Sequence, residues 1–89
     1  SDYYMQTDFH KHFRKQYKKL PMKIKNKFNG LLIIFKENPL TPELNNHSLH
    51  GKYEGCRSIN VTGDFRAIYE VREKGVRFLD IDTHSNLYK

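Results

Sequence analysis

The sequence predicts an α+β domain: an N-terminal two-helix hairpin packed on a twisted, mainly antiparallel sheet of three to four strands. Three observations predict it. Apolar residues recur at helical spacing from residue 9 to residue 35, apolar and polar residues alternate from residue 57 onward, and a stretch bearing prolines and asparagines separates the two regimes. At 89 residues, with 37% hydrophobic and 13% aromatic side chains, the chain has material for one modest core and a single domain over residues 1–89.

Taken in order, Tyr3 to Gln6 are expected to add an optional first strand. Thr7 suits a helix N-cap, with Asp8 at the positive end of the helix dipole. Phe9, Phe13, Tyr17 and Leu20 then form one apolar stripe on a helix from about Asp8 to Lys19, with Lys11, Arg14, Lys15 and Lys18 mostly outside it. Pro21 ends that helix and fits the first turn of the next. In the second helix Ile24, Phe28, Leu31 and Phe35 repeat the spacing, while Leu32, Ile33 and Ile34 widen the apolar surface, so this helix is the more buried of the two. Gly30 within it costs up to about 1 kcal/mol relative to alanine, which points to a close helix contact or a local irregularity. Asn38-Pro39 stops the helix, and the stretch through Thr41-Pro42 to Asn45-Asn46 forms a connecting loop. Arg57 to Thr62, Phe65 to Val71, and a run from Val76 through Phe78 toward Asp80 give three strands, with Thr62-Gly63-Asp64 and Glu73-Lys74-Gly75 as the turns of a meander.

Charge narrows the function. The first 38 residues hold nine basic and three acidic side chains and the remainder seven of each, so the whole excess of +6 lies in the helical part. A basic surface of that density attracts polyanions, nucleic acid among them, although it also suits a merely solvated helix face. No apolar run approaches the roughly 20 residues of a membrane span, the longest being Leu31 to Phe35. Cys56 is the lone cysteine, which favours a reducing compartment, and the expected location is the cytoplasm.

Histidines supply the candidate chemistry. His10 and His12, two apart on the first helix, point to different faces and read as surface residues, whereas His47 and His50 precede the first meander strand and His84 follows the last. No spacing among His47, His50, His84 and Cys56 matches a zinc signature, and neither metal nor cofactor is expected. Asp64 stands after a turn glycine, Arg66 two residues on, and Arg57 on the preceding strand. Imidazoles, a carboxylate and a guanidinium are the groups that cleave RNA without a metal: one takes the 2′-hydroxyl proton, one protonates the 5′-oxygen, and cationic donors meet the charge developing on phosphate. The same residues also suit a capped turn and a cross-strand pair.

The segment from His47 to Tyr69 reads H-x-L-x-G-x-Y-x-G-x-R-x-x-x-V-x-x-D-F-x-x-x-Y, and the end from Arg77 to Tyr88 contains R-F and T-H-x-x-L-Y. Both resemble the motifs of YafQ-type toxins, in the RelE/ParE superfamily of bacterial toxin-antitoxin systems. The resemblance implies a helical hairpin on a twisted sheet, a ribosome-dependent endonuclease acting on messenger RNA, and a cognate antitoxin that holds it inactive. Carried over by position, it implies His84 and Asp64 as the principal acid-base pair, His47 as an assisting or phosphate-holding group, and Tyr88 as an active-site aromatic. Arg66 matches a strand arginine of the wider RelE group that stabilises phosphate. Phe65 and Tyr88 offer faces for base stacking, with ordinary core an equal reading for Phe65. Three positions depart from the pattern: Ser48 replaces a proline, Asn60 stands where some relatives carry histidine, and Asp82 replaces the glycine before Thr83-His84, placing a negative charge beside the expected site. Two alternatives remain: a ParE-like inhibitor of DNA gyrase, disfavoured by Thr83-His84, and an impaired toxin that only binds antitoxin, which Asp82 makes less remote.

Overall fold

The structure, a computed structural model, describes residues 5–89; Tyr3 and Tyr4, where the first strand was expected to begin, lie outside the described residues. The elements are β1 (Gln6–Phe9), α1 (Lys11–Lys18), α2 (Met22–Glu37), β2 (His47–Ser48), β3 (Cys56–Asn60), β4 (Phe65–Arg72), β5 (Gly75–Thr83) and α3 (His84–Leu87), with single 3₁₀ turns at Pro42–Leu44 and Gly51–Tyr53. The class is α+β as predicted, but the sheet has five strands in the order β1-β5-β4-β3-β2, antiparallel except for β1 against β5.

Two expectations near the N-terminus change. Thr7 and Asp8 belong to β1 rather than to a helix start, because Phe9 is a strand residue that pairs with Phe78 and stacks on it with ring centroids 5.8 Å apart. The chain turns at His10, whose Nδ1 accepts the backbone N–H of His12 at 3.0 Å and so caps α1 three residues later than predicted. Gly75 permits the parallel pairing: a Cβ there would overlap the Gln6 carbonyl. Gly30, by contrast, has nothing within 4 Å of where its Cβ would stand, and α2 runs through it as one helix, so of the two readings offered for it neither the close helix contact nor a break in the helix is seen.

The helices cover one face of the sheet. Phe78 is the hub of the core, with the rings of Phe9, Phe13, Phe28, Phe35 and Tyr69 around it at centroid distances of 5.8, 5.8, 5.4, 5.5 and 5.5 Å. Phe28, Leu31 and Phe35 form the buried stripe of α2, as its spacing predicts. The opposite face carries a smaller cluster of Leu49, Ile68 and Leu87, flanked by Tyr53 and Cys56. No helix among the described residues is long and apolar enough to cross a membrane.

One irregularity decides which residues face which way. Ile68 pairs with Asp80 and Tyr69 with Phe78, so Leu79 is the extra residue of a bulge. Without it, Phe78 and Asp80 would share a face, as strand periodicity implies; with it, Phe78 enters the core while Asp80 and Asp82 turn to the opposite side.

Candidate active site

Directly paired residues of adjacent strands share a face, and the register writes out two rows on the side away from the helices. One runs His47, Ser58, Ile68, Asp80; the next runs Asn60, Arg66, Asp82. Helix α1 lies along β5 beyond the end of β1, and its residues His12 and Gln16 continue the rows: His12 Nε2 is 3.2 Å from Asp80 Oδ1, and Gln16 Nε2 donates to Asp82 Oδ2 at 3.2 Å. Four helical residues rise about 6 Å and two strand residues about 6.6 Å, so the two contacts fix one register between helix and strand.

Beyond Thr83 the chain folds back over this face as α3. Thr83 caps the helix by accepting the Asn86 N–H, and Leu87 is buried against Ile68. His84, the first helical residue, is exposed, and its backbone N–H donates to the Asp64 carbonyl at 2.9 Å. This bond draws the turn bearing Asp64 against the start of α3. The His84 ring lies 4.9 Å from Tyr88, and Tyr88 meets Tyr53 edge to face at 5.6 Å. Tyr53 is held by its hydroxyl, which donates to the Leu87 carbonyl at 3.2 Å, and Gly55, at φ 86°, turns the chain from the Tyr53 loop into β3. Burial pushes the Tyr53 phenol up, and the charges of Asp80, Tyr88, Asp82 and Cys56 add to the effect. Tyr53 thus adjoins α3 through both its hydroxyl and its ring. Burial, with Glu70 nearby, likewise raises the Cys56 thiol, which fills space at the edge of the small cluster.

The structure brings some of the predicted residues together and separates others. Asp64 and His84 adjoin, with Tyr88 one helical turn beyond His84. His47 faces the same side but on the far edge strand, β2, three strand spacings or roughly 14 Å of backbone from β5; its Nδ1 is 2.8 Å from the Asn45 carbonyl. Arg66 lies in the row of Asp82, yet its Nη1 donates to the carbonyls of Thr62, Gly63 and Phe65 at 3.0, 3.1 and 3.1 Å, bracing the turn that carries Asp64. Asp64 itself belongs to that turn rather than to the strand, so it and Arg66, two residues on, do not share a strand face.

Arg57 and Phe65 fall on the helix side. Arg57 pairs with Tyr69, and its Nε donates to Asn46 Oδ1 at 2.8 Å while Asn46 donates to the Tyr69 hydroxyl at 2.7 Å. Phe65 packs against the main core, the alternative that its sequence left open. The Asp82 carboxylate is engaged by three donors, the Thr83 N–H at 2.7 Å, the Asn86 amide at 3.0 Å and the Gln16 amide. Sequence reasoning missed His12, Tyr53 and Asp80. The one signal for His12 was its spacing from Gln16, i and i+4 on a helix, matching Asp80 and Asp82, i and i+2 on a strand.

A family model described as the bacterial toxin of type II toxin-antitoxin systems, YafQ, matches residues 3–89. The chain is similar in structure to YafQ from E. coli strain BL21(DE3), with a TM-score of 0.81 and 26% identity over 96% of this chain and 99% of that one. It is also similar to a chain of the E. coli DinJ-YafQ toxin-antitoxin complex, at 0.78 and 26% over 96% and 98%. A YoeB/ParE toxin from Agrobacterium tumefaciens, at 0.76 and 19% identity over 90% and 99%, shares the fold. No curated protein sequence matches.

Proposed function

The chain belongs to the YafQ family of type II toxin-antitoxin toxins, and from that premise we propose that it is an endoribonuclease that cuts messenger RNA on the ribosome. The observation that carries the reading is the bond from the His84 N–H to the Asp64 carbonyl, which makes neighbours of a histidine and an aspartate beside the Tyr88 and Tyr53 rings. In the proposed reaction the 2′-oxygen attacks phosphorus as its proton passes to one of the pair. The bond from phosphorus to the 5′-oxygen breaks, and that oxygen receives a proton from the other member. The products are a 2′,3′-cyclic phosphate and a 5′-hydroxyl. Tyr88, 42% exposed, offers a face on which a displaced base stacks. His47, at the far edge, holds a flanking phosphate.

The ribosome would present the codon in the reactive pose, which is a large part of the catalysis, and the lysines of α1 and α2 would meet ribosomal RNA through phosphate contacts that carry little sequence information. The partner of the resting state is a cognate antitoxin. A groove of 540 Å³ between the two helices, lined by Phe9, Phe13, Tyr17, Phe28 and Leu32 with Arg14 and Lys18 at its rim, fits an acidic amphipathic segment of such a partner.

The test is to induce the wild-type chain and His84→Ala separately in bacteria without antitoxin and to map new 5′-ends on translated messages. Codon-phased cuts with the wild type alone are expected. Growth arrest without cuts would favour ParE-like gyrase inhibition, and no effect at equal abundance would favour an antitoxin-binding role only.

A further inference from the structure

RNA cleavage of the kind read above leaves one requirement unmet by the residues named so far. As the 2′-oxygen adds and the 5′-oxygen departs, negative charge accumulates on the non-bridging phosphate oxygens, and a fixed cationic donor there lowers the barrier. Of the two arginines that the sequence offered, Arg57 lies on the helix side with its Nε on Asn46, and Arg66 turns its Nη1 to the carbonyls of Thr62, Gly63 and Phe65. Lys52 lies over the ring of Tyr53, 5.2 Å from its centroid, and His47 stands across the sheet on β2.

His12 remains. Its side chain is 50% exposed, whereas Asp80, whose Oδ1 lies 3.2 Å from its Nε2, is only 17% exposed. The Asp80 oxygen also accepts the Ile81 N–H at 2.8 Å, so the carboxylate is fixed and fixes the ring. With Nε2 directed at Asp80, Nδ1 is the nitrogen left for a ligand. The Gln16–Asp82 contact one turn further along α1 locks the helix at that height on β5. Asp82 accepts from Gln16 of α1 through one carboxylate oxygen and from Asn86 of α3 through the other, so the helix that bears His12 and the helix that begins at His84 are joined through one side chain of β5.

We propose that His12 is a catalytic residue of this toxin, its protonated imidazole donating Nδ1–H to the phosphate at the cleavage site while Asp80 holds the ring. The proposal rests on the ribonuclease reading. His12 keeps its proton throughout: the proton leaving the 2′-hydroxyl and the one reaching the 5′-oxygen pass through the Asp64 and His84 site.

A purely structural His12, stapling α1 to β5, predicts different variants. His12→Gln keeps a donor for Asp80 and removes the cation; His12→Arg and His12→Lys keep a cation. The experiment measures single-turnover cleavage of messenger RNA on programmed ribosomes by wild type, these three variants and His84→Ala, with thermal melting of each protein. His12→Gln is expected to melt with the wild type and to cleave about 100-fold more slowly, the usual cost of one such donor, and at least one cationic variant to recover to within about tenfold of wild type. A wild-type rate for His12→Gln, or cationic variants no faster than His12→Gln, overturns the proposal. If the wild type cleaves, His84→Ala does not, and His12→Gln is unimpaired, the role of His12 alone falls; if the wild type does not cleave, the ribonuclease reading falls and takes this with it.

Discussion

The two faces of the sheet are built on opposite principles. Toward the helices, Ile59, Ala67, Tyr69, Phe78 and Ile81 present almost no surface to solvent and are held by contact with α1 and α2. On the other side, polar rows ending in His12–Asp80 and Gln16–Asp82 flank a cluster of three buried residues. The covered face holds the fold together through burial, which is nondirectional and sums over many contacts. The open face depends on a handful of directed hydrogen bonds that place chemistry. Substitutions should therefore separate: those on the covered face cost stability and with it everything else, and those on the open face cost activity first.

The largest effect is expected from Phe78→Ala. Five rings surround Phe78 at centroid distances of 5.4 to 5.8 Å, so truncation removes the hub and leaves a cavity, at about 3–5 kcal/mol. Since a domain of this size has little stability in reserve, denaturant titration should show the variant largely unfolded without antitoxin. A midpoint close to wild type would break the contrast between the faces. His84→Ala is the converse. The ring is exposed and the fold keeps the backbone N–H that bonds Asp64, so stability should stay within about 0.5 kcal/mol while message cutting disappears. Loss of both together would mean that the open face is also structural.

Asp82 sharpens the comparison because it lies on the open face but is bonded like a structural residue. Asp82→Ala strands the amides of Gln16 and Asn86 and the N–H of Thr83. A loss of about 1–3 kcal/mol is expected, read as a lower melting temperature. Faster cleavage without that loss would instead identify the carboxylate as a brake on phosphate binding.

How much of this was legible in the sequence follows the same division. The stripe of Phe28, Leu31 and Phe35 and the alternation through Ala67 and Tyr69 could be read because burial imprints its period on the chain. The motif resemblance likewise pointed to Asp64 and His84. The bulge at Leu79 left no such imprint, and it reverses the side on which Asp80 stands. Nor did β1 announce its partner, since a parallel edge strand pairs with residues about 70 positions away through bonds that either sequence alone leaves unspecified. That Arg57 and Phe65 take the helix side was illegible for a related reason: motif spacing gives their order along the strands but not the face they take. His12 was hidden because its partner Asp80 comes from the far end of the chain.

The smallest expected effect tests that edge strand. Asp8 and Arg77 are register partners of β1 and β5, joined by contacts of 2.9 Å from both Nε and Nη2 of the arginine to Oδ2. The Phe9 N–H bonded to its carboxylate, and then the Arg77 guanidinium, hold the Asp8 carboxyl below its usual value. A carboxyl so lowered contributes stability that is present above its unfolded pKa, near 4, and is lost as pH falls through the folded value. Asp8→Asn keeps an acceptor for the Phe9 N–H but removes the charge. The variant should melt slightly below wild type at neutral pH, the gap should close as the solution is acidified through the carboxylate range, and salt should narrow it because the pair is exposed. A gap unchanged by acid would show that β1 is held by its backbone ladder and the Phe9–Phe78 stack alone, extending the rule of the covered face to the edge of the sheet.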